Sequence, residues 1–353
     1  MDVASTQVAE LSGRFRRFAE LECRNSSPLY EKISWGISRD EDLLKLAANS
    51  THRPIPNLFL AAVHYLLLKE ASRSPLSALY ADMEPDIDKR ADPMPRFREF
   101  CLENSDAIRG ILQTRLIQTN EVQRCAFLLP AFQFISSRTA KSLALVEIGA
   151  AAGLNLFWDK YSYDYRNGTI YGDRSSGVRI DCELRGKLIP QIRRELPQTT
   201  LRVGIDLNPL DVNNEDDVLW LRALIWPEHR KRTQLLEAAI KEVRNYQLKL
   251  IKGDALHSLP KALKECPVES SACLVSTFTL NQFSIEARDE LEDWLVEASK
   301  SRELWCVYVE GTSKDSRCPE VHAVLRNGKR KEDNLLAIGE PHGEWLEWLM
   351  NPT

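Results

Sequence analysis

The sequence has none of the close cysteine pairs that mark zinc sites or redox motifs. Its eight cysteines are scattered over 353 residues, and no two of them are spaced as CxxC. Zinc and iron–sulfur sites need clustered ligands, and disulfide frameworks are typical of small secreted domains. We therefore predict reduced cysteines that pack as small hydrophobic residues, and no metal site.

Long hydrophobic runs are also missing. The longest apolar stretch, NLFLAAVHYLLLKE at residues 57–70, contains His64. It falls short of the roughly 18 to 20 apolar residues that cross a bilayer. Residues 1–22 lack the basic start and apolar run of a secretory signal. These absences predict a buried helix instead of a membrane span, and a soluble cytoplasmic protein.

The charges show no basic surplus that would attract nucleic acid. There are 47 Lys and Arg residues against 51 Asp and Glu residues, which gives a formal net charge of −4. Proteins that bind nucleic acid through its phosphates usually carry a clear positive excess. The remaining composition is that of an ordinary globular protein. We therefore expect a small-molecule partner and no nucleic acid, and the oligomeric state stays open.

What the sequence does contain is a change of pattern near residue 140. Before it, apolar residues recur at three- and four-residue spacing, which is typical of helices. After it, short apolar runs alternate with helical stretches, which predicts a parallel sheet with crossover helices. The strand-like runs are LALVEIG (143–149), LRVGIDLN (201–208), LKLIKGD (248–254), ACLVSTF (272–278) and ELWCVYVEG (303–311).

The pattern predicts two domains, an all-helical N-terminal domain (1–140) and an α/β domain with a mostly parallel sheet (141–353). Two strand-like runs around an Asn-Gly pair in segment 320–341 predict a terminal antiparallel hairpin. A further β-hairpin is predicted in an insertion around 158–190. This insertion is either a lid over a binding site or a surface decoration.

Acidic residues follow four of the predicted strands, at the edge where open parallel sheets bind ligands. They are Glu147, Asp206, Asp254 and Glu310. An ionised carboxylate can accept both hydroxyls of a ribose. The loop after the first strand runs from Gly149 to Gly153 with Ala151 in its middle, so a backbone could approach a ligand closely. The same loop also suits a plain turn that packs a helix on a sheet.

In their order, three of these acids resemble those of class I S-adenosylmethionine-dependent methyltransferases. The resemblance implies a Rossmann-like, methyltransferase-type sheet with S-adenosylmethionine as the suspected cofactor, and the terminal hairpin is similar to the final strand pair of those enzymes. The positions that it assigns to the cofactor are Glu147, Gly149, Ala151, Gly153, Asn155, Asp206 and Asp254. The distance along the chain from Glu147 to Asp206 is well beyond the roughly 20 residues of a minimal dinucleotide-binding unit, which fits the predicted insertion.

Blocks spread over nearly the whole chain resemble the bacterial domain-of-unknown-function family 2332. They include SPLYEKI, RLIQTNEVQRCAFLLPAF, LALVEIGAAAGLNLFWDKYSY, RVGIDLNPLDV and HGEWLEW. Members of that family usually have a Ser where Ala151 stands. Some belong to pathways for aziridine-containing natural products, which implies an intramolecular displacement instead of methyl transfer.

The stretch RLIQTNEVQR places several polar groups in a segment that otherwise predicts a buried helix. On a helix, Gln118 and Glu121 lie three residues apart and Asn120 and Arg124 four, so each pair shares a face. Buried polar groups cost free energy unless they are paired. Either they contact a substrate, with Arg115 among the binding residues and Glu121 as a catalytic group, or they form a helix cap and a structural ion pair.

Other candidates follow the first and fourth strands. Asp159 and Tyr161 come after the glycine loop, and Thr277 and Asn281 follow the fourth strand, all as candidate substrate contacts. Polar groups after a buried strand often satisfy backbone groups instead. His342 is the second catalytic candidate, because an unperturbed imidazole titrates near neutral pH.

The sequence therefore predicts a methyltransferase-like enzyme that uses S-adenosylmethionine and acts on a small molecule. Methyl transfer by displacement depends mostly on holding donor and acceptor in line at close range, so one weak base suffices. Two alternatives stay open. The same fold could catalyse a non-methyl reaction such as intramolecular cyclisation, or the protein could bind a ligand without catalysis.

Overall fold

The chain forms two compact units, as described by a computed structural model for residues 3–69, 74–81, 92–311 and 318–351. A helical unit comprises residues 1–119 and 214–233, and a sheet unit comprises residues 120–213 and 234–353. The sheet unit thus begins before the predicted boundary at residue 140, and one later segment belongs to the helical unit.

The helical unit consists of helices around an apolar core. Its elements are α1 (Val3–Phe18), a π-helical turn (Ala19–Cys23), α2 (Pro28–Ile37), α3 (Glu41–Ala47), α4 (Ile55–Lys69), α5 (Ser77–Ala81), α6 (Met94–Glu103), α7 (Ser105–Thr114) and α9 (Glu215–Ala223). The buried helix expected from the longest apolar stretch is confirmed as α4. Within the described ranges, no helix is long and apolar enough to cross a membrane.

Local sequence explains where these helices begin. The Ser27 side chain accepts a hydrogen bond from the Tyr30 N–H at the start of α2, and Pro28 occupies the first helical position. The Asp40 side chain caps α3 in the same way. Such side chains satisfy N–H groups that have no partner inside the helix.

The sheet unit combines helices with two sheets. Its helical elements are a 3-10 turn (Val122–Arg124), α8 (Cys125–Thr139), a 3-10 helix (Leu154–Lys160), α10 (Arg230–Val243), α11 (Ala255–Lys264), a 3-10 turn (Leu280–Gln282) and α12 (Ile285–Ala298). Its strands are β1 (Leu143–Ile148), β2 (Ser162–Asp164), β3 (Ile170–Gly172), β4 (Arg179–Asp181), β5 (Glu183–Arg185), β6 (Thr199–Asp206), β7 (Lys249–Lys252), β8 (Ser271–Thr277), β9 (Leu304–Glu310), β10 (Glu320–Asn327), β11 (Arg330–Gly339) and β12 (Trp345–Trp348). The first residues of α10 fall in the helical unit.

The main sheet has nine strands in the order β5-β12-β11-β10-β9-β8-β1-β6-β7. The five strands from β9 to β7 are parallel to one another, whereas β10, β11 and β12 follow in antiparallel pairs. Strand β5 pairs in parallel with β12 at the edge. This arrangement confirms the predicted α/β class, with a large mostly parallel sheet and antiparallel strands at the end of the chain.

Strand β1 lies at the centre of the parallel part and is buried along its whole length. Its residues Ala144, Val146 and Ile148 belong to a core that also includes apolar side chains of α11 and α12. Because side chains alternate across a strand, Glu147 points to the opposite face. Charge and apolar packing are therefore separated at the end of one strand.

The insertion after β1 forms a small sheet of three strands in the order β3-β2-β4. Strands β2 and β3 are antiparallel around the Asn-Gly turn, and β4 adds in parallel to β2. Three buried tyrosines fix it to the rest of the unit: Tyr161, Tyr163 and Tyr165 donate hydrogen bonds to the carbonyls of Leu154, Trp158 and Ala126 at 2.7, 2.5 and 2.7 Å. The insertion is thus part of the packed core beside the glycine loop.

The polar stretch RLIQTNEVQR does not form the predicted helix. Helix α7 ends at Thr114, and residues 115–121 have no helical structure before the 3-10 turn begins. The Leu116 carbonyl accepts from the Trp220 indole at 3.0 Å, so partners distant in sequence replace helical hydrogen bonds. The expected helical faces that pair Gln118 with Glu121 and Asn120 with Arg124 are therefore wrong, because such spacing puts residues on one face only in a helix.

All eight cysteines are free thiols, and seven of them are buried. Burial raises the pKa of several of them, including Cys125 and Cys273. A thiol with a raised pKa is a poor nucleophile at neutral pH. The seven buried cysteines therefore act as core side chains.

Candidate functional site

The candidate site lies where the parallel strands end, within the sheet unit. The loops after β1, β6, β8 and β9 share this edge of the sheet because parallel strands point the same way. Strand β1 is the point at which the chain order reverses, since β6 and β7 lie on one side of it and β8 and β9 on the other. Ligands of open α/β sheets bind at such reversal points.

The loop after β1 has an unusual backbone. Gly149, Ala151 and Gly153 all have a positive φ, of 69°, 50° and 69°. A Cβ added at Gly149 would overlap the Thr279 side chain, so glycine there allows the loops after β1 and β8 to come together. The left-handed backbone conformation of Ala151 is energetically unfavourable, because its Cβ comes close to the following carbonyl oxygen. Its surroundings must hold the loop in this shape.

Asp206 holds the middle of this loop. Its carboxylate accepts hydrogen bonds from the backbone N–H groups of Ala151 and Asn208, both at 2.8 Å. The side chain is buried, and the next residue, Leu207, is 63% exposed. The end of β6 thus presents a fixed carboxylate next to an open apolar side chain.

Asn120 holds the end of the loop. Its side-chain oxygen accepts a buried hydrogen bond from the Leu154 N–H at 3.0 Å. The nearby thiol of Cys125 lies 3.5 Å from the Asn155 side-chain oxygen. Asn120, which was predicted to lie on a helix, therefore reaches the glycine loop from a segment without helical structure. The buried Glu121 is the next residue in the chain.

Glu147 is the most unusual residue of the site. It is 1% exposed, and neither carboxylate oxygen has a hydrogen-bond partner among the described residues. Burial raises the pKa of Glu147 to about 8; Asn155 and Arg124 oppose this increase, whereas the charge of Asp206 adds to it. Strongly perturbed carboxylates cluster at functional sites. This side chain is a candidate acid that keeps its proton near neutral pH.

Arg124 brings a positive charge to the same region. Its Nε donates to the Pro341 carbonyl at 2.9 Å, and its guanidinium lies 4.0 Å from the centre of the Phe278 ring. Phe278 has a positive φ of 56°, which is rare for a bulky residue. Arg124 therefore links the segment before α8 to the loop after β8.

Glu310, an acid noticed at the end of a predicted strand but given no role, shapes the loop after β8. Its carboxylate accepts from the Ser276 hydroxyl at 2.7 Å, from the N–H groups of Thr279 and Leu280 at 3.0 Å and from that of Asn281 at 3.4 Å. The candidate Thr277 is buried at the end of β8, and the Asn281 side chain is exposed. The position of Glu310 after a strand was the only sequence signal for this role. Which loop's N–H groups the carboxylate accepts from depends on the strand order, which the sequence pattern does not show.

His342 lies in the turn between β11 and β12. Its Nδ1 is 2.9 Å from Glu340 Oε1, and the Glu340 carboxylate also accepts from the backbone of the turn. Burial alone would raise the pKa of Glu340. The hydrogen bond and charge of His342, together with the turn's N–H groups, nevertheless hold this pKa below its usual value. A Cβ at Gly343 would meet the Gln123 carbonyl, so this turn packs directly beside Arg124.

Several predicted site residues are engaged in structural contacts. Asp254 caps α11 by accepting from the N–H groups of Leu256 and His257. Asp159 forms an ion pair with Arg202 at 2.6 Å, and the buried Tyr161 hydroxyl donates a hydrogen bond to the Leu154 carbonyl. Such contacts account for these residues without a ligand.

Arg115 and Gln118 belong to the helical unit. Arg115 pairs with Asp216 and, at 3.0 Å, with Asp217, and it lies over the rings of Tyr65 and Trp220. The ion pair expected from the structural alternative is thus present at Arg115. The described residues contain no group of three or more His, Cys, Asp or Glu side chains that could hold a metal ion.

Comparison with known proteins gives a single kind of match. A family model described as an uncharacterized protein conserved in bacteria (DUF2332) matches residues 12–348. Neither the comparison with curated proteins nor the comparison with solved structures found a match. The match covers both units of the chain, so the candidate site lies within the shared family region.

Proposed function

We propose that this chain, which belongs to the DUF2332 family of uncharacterized bacterial proteins, is a methyltransferase-like enzyme that binds S-adenosylmethionine and acts on a small molecule. The observation that carries the proposal is the loop after β1, whose three left-handed residues lie at the reversal point of the parallel strands. If the five parallel strands are numbered by their order in the chain, their order across the sheet is 3-2-1-4-5. This is the order found in doubly wound nucleotide-binding sheets.

The end of β6 suits the nucleoside half of this cofactor. The Asp206 carboxylate accepts from the Ala151 and Asn208 N–H groups, and an ionised carboxylate at this position is a natural acceptor for ribose hydroxyls. The exposed Leu207 offers an apolar surface for a flat base, and Asp254 is half-exposed at the end of β7. Both features favour a nucleoside over an inorganic anion.

The side chains of Glu147 and Arg124 suit the amino-acid half. Burial keeps the proton on Glu147 near neutral pH, and the positive charge of a bound ammonium group would lower its pKa, so that its oxygens accept from that group; Arg124 could pair with a carboxylate. A buried carboxylate is costly without a partner, and the ammonium group would supply the compensating charge. When bound, S-adenosylmethionine would supply an electrophilic methyl group.

The residues of the chain have two tasks in such a reaction, namely to position the acceptor and to remove its proton. With Nδ1 directed at Glu340, the His342 ring leaves Nε2 available to accept a proton. Glu121 lies next to the loop-binding Asn120 and is the second candidate base. A single weak base suffices when donor and acceptor are held in line.

An intramolecular cyclisation would use the same groups. The substrate's amine nitrogen forms the ring by displacing a leaving group from a carbon of the same molecule, and it must lose a proton as it does so. A base such as Glu121 or His342 is therefore still required. Release of S-adenosylhomocysteine distinguishes the two.

The test is calorimetric titration of S-adenosylmethionine and S-adenosylhomocysteine into the wild type, Asp206→Ala and Leu207→Ser. We expect affinity for both ligands to fall by about 1 to 3 kcal/mol in Asp206→Ala, the scale of a lost charged hydrogen bond. Leu207→Ser should weaken binding without loss of stability, because the side chain is already exposed. The matched control is Asp173→Asn in the exposed turn of the insertion.

The outcomes separate the alternatives. Binding with turnover to S-adenosylhomocysteine supports methyl transfer, and binding without turnover of the ligand supports cyclisation or a non-catalytic role. If the folded wild type binds neither ligand, the proposal fails.

A further inference from the structure

A groove in the helical unit has no part in the proposed reaction. Its volume is about 400 Å³, and it is lined by the end of α1, the π-helical turn and the start of α4. Pockets for small molecules span roughly 300 to 1,000 Å³. The groove is therefore large enough for a small organic ligand.

The groove carries more positive than negative charge. Three arginines line it, Arg14, Arg17 and Arg53, together with Glu10 and Glu22. Arg14 pairs with Glu10 at 2.6 Å. In the part of the chain that the structure describes, neither Arg17 nor Arg53 pairs with a carboxylate.

The positions of these charges are coupled. The hydrogen bond and charge of Arg14 lower the pKa of Glu10, and the charges of Arg53 and Arg17 lower it further. Both side chains therefore lie close enough to Glu10 to act on the same space. Burial raises the pKa of the Glu22 carboxyl, and a hydrogen bond with the Asn57 side chain opposes this increase. Two guanidinium groups remain for an anion.

The groove also offers apolar surface. Phe18 forms its wall and packs against Trp226, with ring centres 5.7 Å apart. Leu21 lies in the π-helical turn, which is closed by the Arg24 N–H donating to the Ala19 carbonyl, and is 78% exposed. π-helical turns are rare and occur frequently at functional sites. This turn directs a large leucine outward beside two arginines.

A further polar group lacks a partner. The Asn57 side-chain oxygen is buried and accepts no hydrogen bond from any residue that the structure describes. Asn57 belongs to the first turn of α4, where helix N–H groups add partial positive charge. The partial positive charge of these N–H groups favours an anion in the groove.

We propose that this groove binds a phosphate monoester with a short apolar chain, whose phosphate contacts Arg17 and Arg53 and whose chain covers the exposed Leu21. Two guanidinium groups match the double charge of a phosphate monoester better than the single charge of a carboxylate. The ligand class follows from the charges and the apolar wall together.

The test is calorimetric titration of hexyl phosphate and inorganic phosphate into the full chain. Hexyl phosphate should bind with one site per chain and about tenfold more tightly than inorganic phosphate. The double variant Arg17→Gln, Arg53→Gln should weaken both ligands by about tenfold or more. Leu21→Ser should remove the advantage of hexyl phosphate and leave the affinity for inorganic phosphate unchanged.

Arg16→Gln is the matched control, because Arg16 neighbours Arg17 on α1, is exposed and does not line the groove. The proposal is overturned if Arg16→Gln weakens binding as much as the double variant. It is also overturned if hexyl phosphate binds no better than inorganic phosphate, which would mean an adventitious ion only. Titration of S-adenosylhomocysteine into the same variants should give the wild-type result, so failure here is independent of the proposed enzyme site.

Discussion

The loops after β1 and β8 meet at Gly149 and Thr279, yet the glutamate that accompanies each loop has an opposite environment. Glu310 accepts four hydrogen bonds from Ser276 and the loop after β8. Glu147, at the end of β1, accepts none among the described residues although it is almost fully buried.

This difference separates structure from function at one edge of the sheet. A carboxylate whose oxygens are all used by the backbone stabilises a loop and has little capacity left for a ligand. A buried carboxylate without partners destabilises the fold and persists only if something compensates for it. Glu147 is therefore the stronger sign of a binding or catalytic role, and Glu310 the stronger sign of a structural one.

The largest expected effect is the loss of stability in Glu310→Ala. The change leaves three N–H groups and a hydroxyl without their acceptor. We expect the free energy of unfolding to fall by about 2 to 4 kcal/mol, measured by urea denaturation. Glu303→Ala, at an exposed position just before the same strand, is the control and should change it by less than about 0.5 kcal/mol. Equal effects of the two variants would show that the Glu310 contacts do not stabilise the loop.

The next effect has the opposite sign. The pKa of Glu147 is raised from 4.5 to about 8 in the folded protein, so between these values the unfolded chain has lost a proton that the folded chain keeps. Stability should therefore fall as the pH rises from about 4.5 to 8. Glu147→Gln removes this slope. The raised pKa corresponds to about 4 kcal/mol at pH 8, and the cost of burying an unpartnered amide reduces the expected stabilisation to on the order of 1 to 3 kcal/mol.

The measurement is unfolding by urea from pH 5 to 9 for the wild type, Glu147→Gln and Glu310→Gln. The benefit of Glu147→Gln should be smallest at pH 5 and largest above pH 8. Glu310→Gln should lower stability across the range, because an amide provides fewer acceptors than a carboxylate. A destabilising Glu147→Gln at pH 8 would mean that the carboxylate is ionised and paired, which would remove the contrast between the two glutamates.

A third and smaller effect concerns the support of the glycine loop. Asn120→Ala removes the buried acceptor of the Leu154 N–H, and we expect a loss of about 1 to 2 kcal/mol in the free energy of unfolding. Asn120→Asp keeps an acceptor and should retain most of the stability. If Asn120→Ala matches the wild type in urea denaturation, the loop is held by Asp206 alone.

Much of the parallel sheet was predictable because its strands are buried on both faces. Strands β1 and β8 are buried along their whole length and carry short apolar runs, and acidic residues mark the ends of the other predicted strands. The terminal hairpin was predictable from its Asn-Gly pair, since such turns have strong local preferences. Strand β12 was missed because four residues are too few to show a clear alternating pattern, and one of its two partners, β5, is distant in sequence.

The roles of the polar residues were much less predictable. Asn120 and Arg124 were expected on one helical face, but their segment is extended and is fixed by contacts to Leu154 and Pro341, which no local pattern reveals. Likewise, Glu147 and Glu310 both follow apolar runs. Only the fold shows which backbone N–H groups each carboxylate reaches, and this decides whether an acid is satisfied or orphaned.

The smallest expected effect tests a residue that lies between the two extremes. Asp254 is half-exposed, yet it caps α11 as Glu310 supports its loop. Asp254→Ala should lower the free energy of unfolding by about 1 kcal/mol, whereas Asp254→Ser retains a good helix cap and should change it by only a few tenths.

The serine variant separates ligand binding from stability. Serine is too short to replace a carboxylate at a ligand and carries no charge, so titration of S-adenosylhomocysteine into Asp254→Ser reports binding alone. Weaker binding would place Asp254 with Glu147 as a ligand-binding acid. Unchanged binding would place it with Glu310, because its stability contribution then accounts for the whole side chain.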